Sequence, residues 1–354
     1  MTGGAGATAT PLLAVEGLEV GFRVRRGLLQ AVARRPAGTV RAVDRVDLQV
    51  AAGELVALVG ESGCGKTTTA LAAVGLQPAT GGSILIEGHD LSAASTEQAK
   101  AIRRRVQMIF QDPYESLDPR FTVRRTVVEP LEVHGVGGDH EAIARGALDR
   151  VGLKPAQSFL DRHPHQLSGG QRQRVAIAAA LVLAPALLVA DEPVSMLDTS
   201  VRAGVLDLLA ELRLDGMGIL MITHDLSTAA AYADRIAVMY LGRIVEQGEA
   251  RTVVGDPRHP YTRALVTAVP RSDGRRRDLS LMPKGETPDA SQVPTGCRFH
   301  PRCPVAENRC SSQQPVLVDL GQGRSAACLL LAQPDRNGQP DRNGQPDPRH
   351  QPRP

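Results

Sequence analysis

The sequence predicts an α/β fold: a mostly parallel sheet with helices between its strands, interrupted by a helical insertion and followed by a small appended segment. Three observations carry this. Apolar runs of strand length alternate with helix-length segments along most of the chain. One of these runs, Leu55 to Val59, leads straight into the glycine-rich stretch Gly60-Glu61-Ser62-Gly63-Cys64-Gly65-Lys66-Thr67-Thr68 and then into a helix expected over Thr69 to Gly75. From about Asp112 to His165 strong strand signals are missing, and Asp139 to Val151 spaces its apolar residues helically.

Taken in order, residues 1–11 are small and polar, with no apolar face to bury, and are expected to be disordered. A strand is expected from Leu12 to Phe22. Between Arg23 and Arg41 stand six arginines and no acid. This basic loop is either solvated or turned toward anionic lipid headgroups; no apolar face accompanies it, which favours solvation. Strands follow at Arg41 to Val50, Glu54 to Val59 and Ser83 to Ile86. After the insertion, buried strands are expected at Leu187 to Ala190, Ile219 to Thr223 and Ile236 to Met239, with helices at Ser200 to Leu214 and Leu226 to Ala233. The core domain closes near Gly255. Beyond a helix at Tyr261 to Val269 come a polar linker, Arg271 to Asp278, a segment rich in Pro and Cys, and a tail over 332–354 that repeats Gln-Pro-Asp-Arg-Asn-Gly and is expected to be disordered.

The 16-residue apolar run Val175 to Ala190 is too short for a membrane span, is broken by Pro185 and ends on Asp191-Glu192. A buried helix, a turn and a buried strand fit it better. With 41 basic and 38 acidic residues the charges nearly cancel, at +3, so nucleic-acid binding is not implied. The first ten residues lack a basic region followed by an apolar one, so the protein is expected to stay in the cytosol, with any membrane role exercised through partners.

The glycine-rich stretch has the spacing of a phosphate-binding loop. Glycines at 63 and 65 permit backbone angles that turn successive N–H groups inward, and the following helix points its positive end at the same anion. Lys66 is placed to reach β- and γ-phosphates, and the Thr67 hydroxyl to ligate magnesium. Cys64, a thiol inside the loop, invites a redox role, but a small residue packed on backbone is the better reading. Four further stretches supply matching chemistry. Asp191, at the tip of an apolar strand, can hold magnesium through water, and Glu192 can act as general base toward the attacking water. Leu167-Ser168-Gly169-Gly170-Gln171 heads a helix and offers a second phosphate cradle. Gln111 and His224 complete the set, the latter at a strand end.

In this order these motifs resemble the nucleotide-binding subunits of ATP-binding cassette (ABC) transporters, over roughly Leu12 to Gly255. The resemblance implies a phosphate-loop NTPase core with a RecA-like parallel sheet, an antiparallel N-terminal subdomain and a helical subdomain over about 112–180. It implies that Phe22 stacks on adenine, that Gln111 senses the metal and the membrane subunit, and that His224 contacts the γ-phosphate. Ser195-Met196-Leu197-Asp198 is similar to the loop that crosses the dimer interface, with Met196 where the family usually has Ala. Two such subunits sandwich two ATP molecules, so Leu167 to Gln171 would act in trans on the partner's nucleotide.

Four cysteines, Cys297, Cys303, Cys310 and Cys328, fall outside the core. Clustered thiols in a cytosolic protein suggest soft-metal ligation. Without a close Cys-x-x-Cys pair, a [4Fe-4S] cluster is expected ahead of zinc, with scattered reduced cysteines as the alternative. Around them, His259-Pro-Tyr-Thr-Arg-Ala-Leu265 and Gly296-Cys-Arg-Phe-His-Pro-Arg-Cys-Pro304, like Gln111-Asp-Pro-Tyr-Glu-Ser-Leu-Asp-Pro-Arg120, resemble oligopeptide and dipeptide importer ATPases. A C-terminal segment over 256–331 is thereby implied. So are a second, non-identical ATPase, two membrane permeases, an extracytoplasmic binding protein and a place on the cytoplasmic face of the membrane. Nickel importers share that segment, so peptide is the first expectation and nickel the second. A non-transport ATPase acting on nucleic acid or ribosomes would show two cassettes or a long coiled coil, and neither is in the sequence.

Overall fold

The protein is described here from a computed structural model, which covers residues 10–23, 39–269, 282–283, 285, 288 and 292–331. The expectations for residues 1–9, for most of the basic loop, for the Arg271 to Asp278 linker and for the 332–354 tail lie outside the described residues.

Among those residues the strands form two sheets. The first is antiparallel, in the order β2 (Thr39–Val50), β1 (Leu13–Arg23), β4 (Gly81–Ile86), β5 (His89–Asp90). The second holds eight strands, with a parallel centre of β9 (Arg235–Tyr240), β3 (Leu55–Val59), β8 (Gly218–Thr223), β7 (Leu187–Asp191) and β6 (Val106–Ile109). All five β3 side chains are buried, and they alternate between two cores: Leu55, Ala57 and Val59 face the helical layer, while Val56 and Leu58 face the antiparallel sheet. Burial on both faces is why these strands are continuous apolar runs rather than alternating ones.

Five strands were not expected from the sequence: the two-residue β5, β11 (Val318–Asp319) and β12 (Ser325–Ala326), and the longer β6 and β10 (Arg243–Glu249). β6 is a four-residue edge strand that follows three arginines, and β10 carries Glu246 and Gln247, which disguise its pattern. Glu246 is nevertheless fully buried. It accepts hydrogen bonds from the Arg258 and His259 N–H groups at 2.9 and 2.8 Å and from Arg324 at 2.8 Å, which is the donor set a buried carboxylate requires. Arg324 leads into β12, which pairs antiparallel with β10 and with β11. The C-terminal segment therefore supplies the last two strands of the main sheet.

The helical layer contains Val123–Val133, His140–Arg150 and Gly169–Leu181. Val127, Leu131, Leu148 and Val175 from its three helices enter one core. Thr122 and Asp139 cap the first two helices by accepting N–H groups of their first turns. The apolar run Val175 to Ala190 divides into the end of the third helix and β7. Among the described residues no helix is long and apolar enough to cross a membrane.

Candidate active site

The parallel strands deliver the chemistry at their C-terminal ends. β3 ends at Val59, and the loop that follows is packed so tightly that glycine is required twice. A Cβ on Gly60 would stand 2.2 Å from the Met239 carbonyl oxygen, and one on Gly65, whose φ is 108°, would stand 2.2 Å from that of Ala42. Lys66 begins the helix Lys66–Ala73, and no side chain caps that helix, so its first N–H groups remain available to an anion in the loop. Lys66 is 5% exposed, and its ammonium donates to the Gly60 and Glu61 carbonyls at 2.8 and 2.9 Å, folded back over its own loop. Ser62, Gly63 and Thr67 line the exposed mouth, with Thr68 half-buried behind them. Cys64 is buried, its thiol is pushed up by burial, and its carbonyl accepts from the Gly242 N–H at 2.7 Å. It packs as a small side chain on backbone.

At the tip of β7, Asp191 is almost fully buried, and burial raises its carboxyl above the usual range against the opposing Thr67 hydroxyl hydrogen bond. One of its oxygens, Oδ1, has no hydrogen-bond partner among the described residues. A buried carboxylate oxygen without a donor, beside a threonine hydroxyl, fits a hard divalent cation such as magnesium. The next residue, Glu192, is held at φ 45°, a conformation that costs about 1–3 kcal/mol for a residue with a Cβ. Ser195 Oγ donates to the Glu192 carbonyl at 3.1 Å. The Glu192 carboxylate is bracketed from both sides: Gln111 Nε2 donates to Oε2 at 3.1 Å, and His224 Nδ1 lies 3.0 Å from Oε1. These three residues, separated by 81 and 32 positions, thus form one polar cluster.

The stretch Leu167 to Gln171 is built differently. Its side-chain hydrogen bonds stay within its own helix start: Ser168 Oγ accepts from the Gln171 N–H at 3.3 Å, and Gln171 Oε1 accepts from the Ser168 N–H at 3.0 Å. A Cβ on Gly170 would lie 2.2 Å from Val201 Cγ1, and one on Gly169 would touch Leu197, so the stretch rests on the first turn of the helix Thr199–Leu214 and on the 195–198 loop before it. In that loop Met196 is 59% exposed, and Asp198 begins the helix Thr199–Leu214 without capping it. Phe22 lies opposite Val40 near the end of β1 and is 43% exposed. Since the Ala42 carbonyl abuts Gly65, the β1–β2 pairing carries Phe22 toward the loop's end of the sheet.

The expectation of an iron–sulfur cluster, or zinc, on Cys297, Cys303, Cys310 and Cys328 is not met. Among the described residues no three His, Cys, Asp or Glu side chains form a group that could hold a metal ion. The chain folds this turn through backbone instead, with the Cys297 N–H donating to the Cys310 carbonyl at 2.8 Å. Cys297 and Cys303 pack against the main core, and Cys310 is buried. Burial pushes the Cys297 thiol up to about 11 and that of Cys328 upward, which keeps them protonated. Cys297 and Cys303 act as small apolar fillers at the edge of that core.

Two contacts to the loop come from residues whose role the sequence did not reveal. Tyr261 Oη accepts from the Glu61 N–H at 2.9 Å, and Arg302 donates to both Glu61 carboxylate oxygens at 2.8 and 3.2 Å. Tyr240, Tyr261 and Phe299 pack in tilted and edge-to-face pairs beneath them, with ring centroids 4.7–5.4 Å apart.

Comparison with known proteins follows this geometry. Residues 43–195 match the ABC transporter family, and residues 245–310 match the oligopeptide/dipeptide transporter C-terminal region. The chain is 43% identical over 315 residues to the oligopeptide transport ATP-binding protein AppF of Bacillus subtilis, covering 87% of this chain and 94% of that one. It is 42% identical over 320 residues to the "Probable peptide ABC transporter ATP-binding protein y4tS" of Sinorhizobium fredii, covering 90% and 89%. Among solved structures it is similar to the ATP-binding cassette MJ0796 in a dimeric post-hydrolysis state bound to ADP and phosphate. That match has a TM-score of 0.59 and 27% identity, over 68% of this chain and 99% of that one.

Proposed function

The chain belongs to the ATP-binding subunits of ABC transporters, and from that membership we propose that it is the ATPase of a peptide importer, hydrolysing ATP to drive di- or oligopeptides through partner permeases. The observation that carries the catalytic part is the Glu192 carboxylate fixed between Gln111 and His224, next to the buried Asp191. The match of residues 245–310 to the oligopeptide/dipeptide transporter C-terminal region supports peptide as the cargo.

In this reading Gly60 to Thr68 cradles the triphosphate, and Lys66 leaves the carbonyls of its own loop for β- and γ-phosphate oxygens. Thr67 and Asp191, with Gln111, would hold a magnesium ion, which when bound would supply a Lewis acid toward those oxygens. Glu192 takes the proton of the attacking water, and His224 orients Glu192 and meets the γ-phosphate. Phe22 stacks on adenine. Leu167 to Gln171 completes the site of a second, non-identical ATPase, and Asp198 lies at the seam. Residues 12–255 form the nucleotide-binding domain, with a helical subdomain over 112–180, and 256–331 the appended segment. Two permeases and an extracytoplasmic binding protein complete a machine in which this subunit sits at the cytoplasmic face.

Co-expressed and reconstituted with those partners, the protein is expected to hydrolyse ATP faster when the binding protein holds a peptide. Stimulation by nickel and not by peptides would reassign the solute. Absence of ATP hydrolysis in the assembled transporter would overturn the reading.

A further inference from the structure

Glu61 is the one acidic residue inside the phosphate loop, and it stands where a polyanion is to bind. All of its polar groups are engaged. Its carbonyl accepts from Lys66 at 2.9 Å, its N–H donates to Tyr261 Oη at 2.9 Å, and its carboxylate receives both prongs of Arg302 at 2.8 and 3.2 Å. The last two partners come from the C-terminal segment, 200 and 241 positions away. Both are built in. Tyr261 is 0% exposed and Arg302 8% exposed, with the guanidinium 3.5 Å from Tyr240 Oη. Behind Tyr261 the brace continues, because His259 Nδ1 accepts the Tyr261 N–H at 3.1 Å while the His259 N–H is held by Glu246 of β10.

A bidentate guanidinium does two things here. It fixes the carboxylate in direction, and it cancels a negative charge that otherwise opposes the phosphates. We propose that Arg302 and Tyr261 are positioning residues for the phosphate loop. Through them the C-terminal segment neutralises and holds Glu61, so that ATP affinity depends on a segment lying outside the nucleotide-binding core. The inference rests on the nucleotide-site reading given above.

The test is calorimetric titration of the full chain with ATP and with ADP in EDTA, so that neither metal nor turnover contributes. Arg302→Met is expected to weaken ATP binding about tenfold. ADP, with one negative charge fewer, weakens less. Adding Glu61→Gln to Arg302→Met removes the charge that Arg302 had opposed and is expected to recover most of the ATP affinity. A purely structural role predicts otherwise: equal losses for ATP and ADP and no recovery in the double variant would overturn the assignment. Wild-type affinity in Arg302→Met would overturn it as well, while leaving the nucleotide site intact. If the unaltered chain binds neither nucleotide, the site reading itself falls and takes this inference with it. Arg302→Lys keeps the charge but gives up the two-pronged fit, and is expected to lie between. Where Arg302→Met does not fold, Arg302→Lys carries the test, and affinity for ATP equal to wild type then counts against the assignment.

Discussion

The phosphate loop and the Leu167 to Gln171 stretch are both glycine-containing helix starts, yet the chain finishes only one of them. Behind its exposed mouth, Gly60 to Thr68 is held by its own chain: Met239 and Ala42 press on its glycines, Gly242 holds Cys64, and Tyr261 and Arg302 hold Glu61. Ser168 and Gln171, by contrast, satisfy only each other, and the adjacent Met196 is left 59% exposed. A region braced by five residues of its own chain, drawn from four stretches, is a preformed binding element. A region capped by itself, with apolar surface beside it, is suited to completion by another subunit. Glu192 belongs to neither region and sits between Gln111 and His224.

The largest expected effect falls on that middle position. Glu192→Gln keeps the shape and the hydrogen bond to Gln111 but removes the base, so ATP hydrolysis should fall by about 10²–10⁴-fold while ATP binding persists. Turnover near that of wild type in a steady-state phosphate-release assay would remove Glu192 from the chemistry. Lys66→Met comes next and sharpens the contrast from the other side. Loss of one charged donor to a phosphate is expected to weaken ATP binding about 10–150-fold, read in the same titration, because the preformed loop has no second ammonium to offer.

How much of this was legible in the sequence follows from the same contrast. The loop was legible because its requirements are local: glycines, a lysine and a threonine within nine positions, with an apolar strand before and a helix after. The buried parallel strands were legible because burial on both faces leaves continuous apolar runs. Arg302 on Glu61 was not, since a pairing across 241 positions leaves no periodicity to read. β12 is two residues long and carries no pattern at all. The four C-terminal cysteines misled for a related reason. Spacing cannot tell a thiol that ligates from one that fills a core, and Cys297 and Cys303 pack against the main apolar core while Cys310 is buried.

The brace behind the loop also has a pH signature. His259 is fully buried, and burial, with Arg263 nearby, pulls its pKa from 6.5 down to about 3. It is therefore neutral in the folded protein, its Nδ1 accepting from the Tyr261 N–H. A depressed pKa contributes stability that is complete above the unfolded value and is lost as pH falls from 6.5 toward 3, at about 1.4 kcal/mol per pH unit. Denaturant unfolding followed by tyrosine fluorescence or far-UV dichroism should show that acid slope, and His259→Gln should flatten it. An unchanged slope would mean that the brace does not need a neutral His259.

The smallest expected effect is the most discriminating. Ser168→Ala removes the oxygen that accepts the Gln171 N–H and is expected to cost about 1 kcal/mol of stability, the ordinary loss of a helix cap. If the stretch serves another subunit's nucleotide, ATP affinity of the isolated chain is untouched, and hydrolysis falls only in the assembled pair. If it serves its own, titration of the isolated chain shows weaker ATP binding and mixing with the partner changes nothing. A mixed assembly pairing the Ser168→Ala chain with an unaltered partner decides between them. Loss confined to the site built from the partner's phosphate loop follows if the braced region is complete in itself and the self-capped one is half of a site.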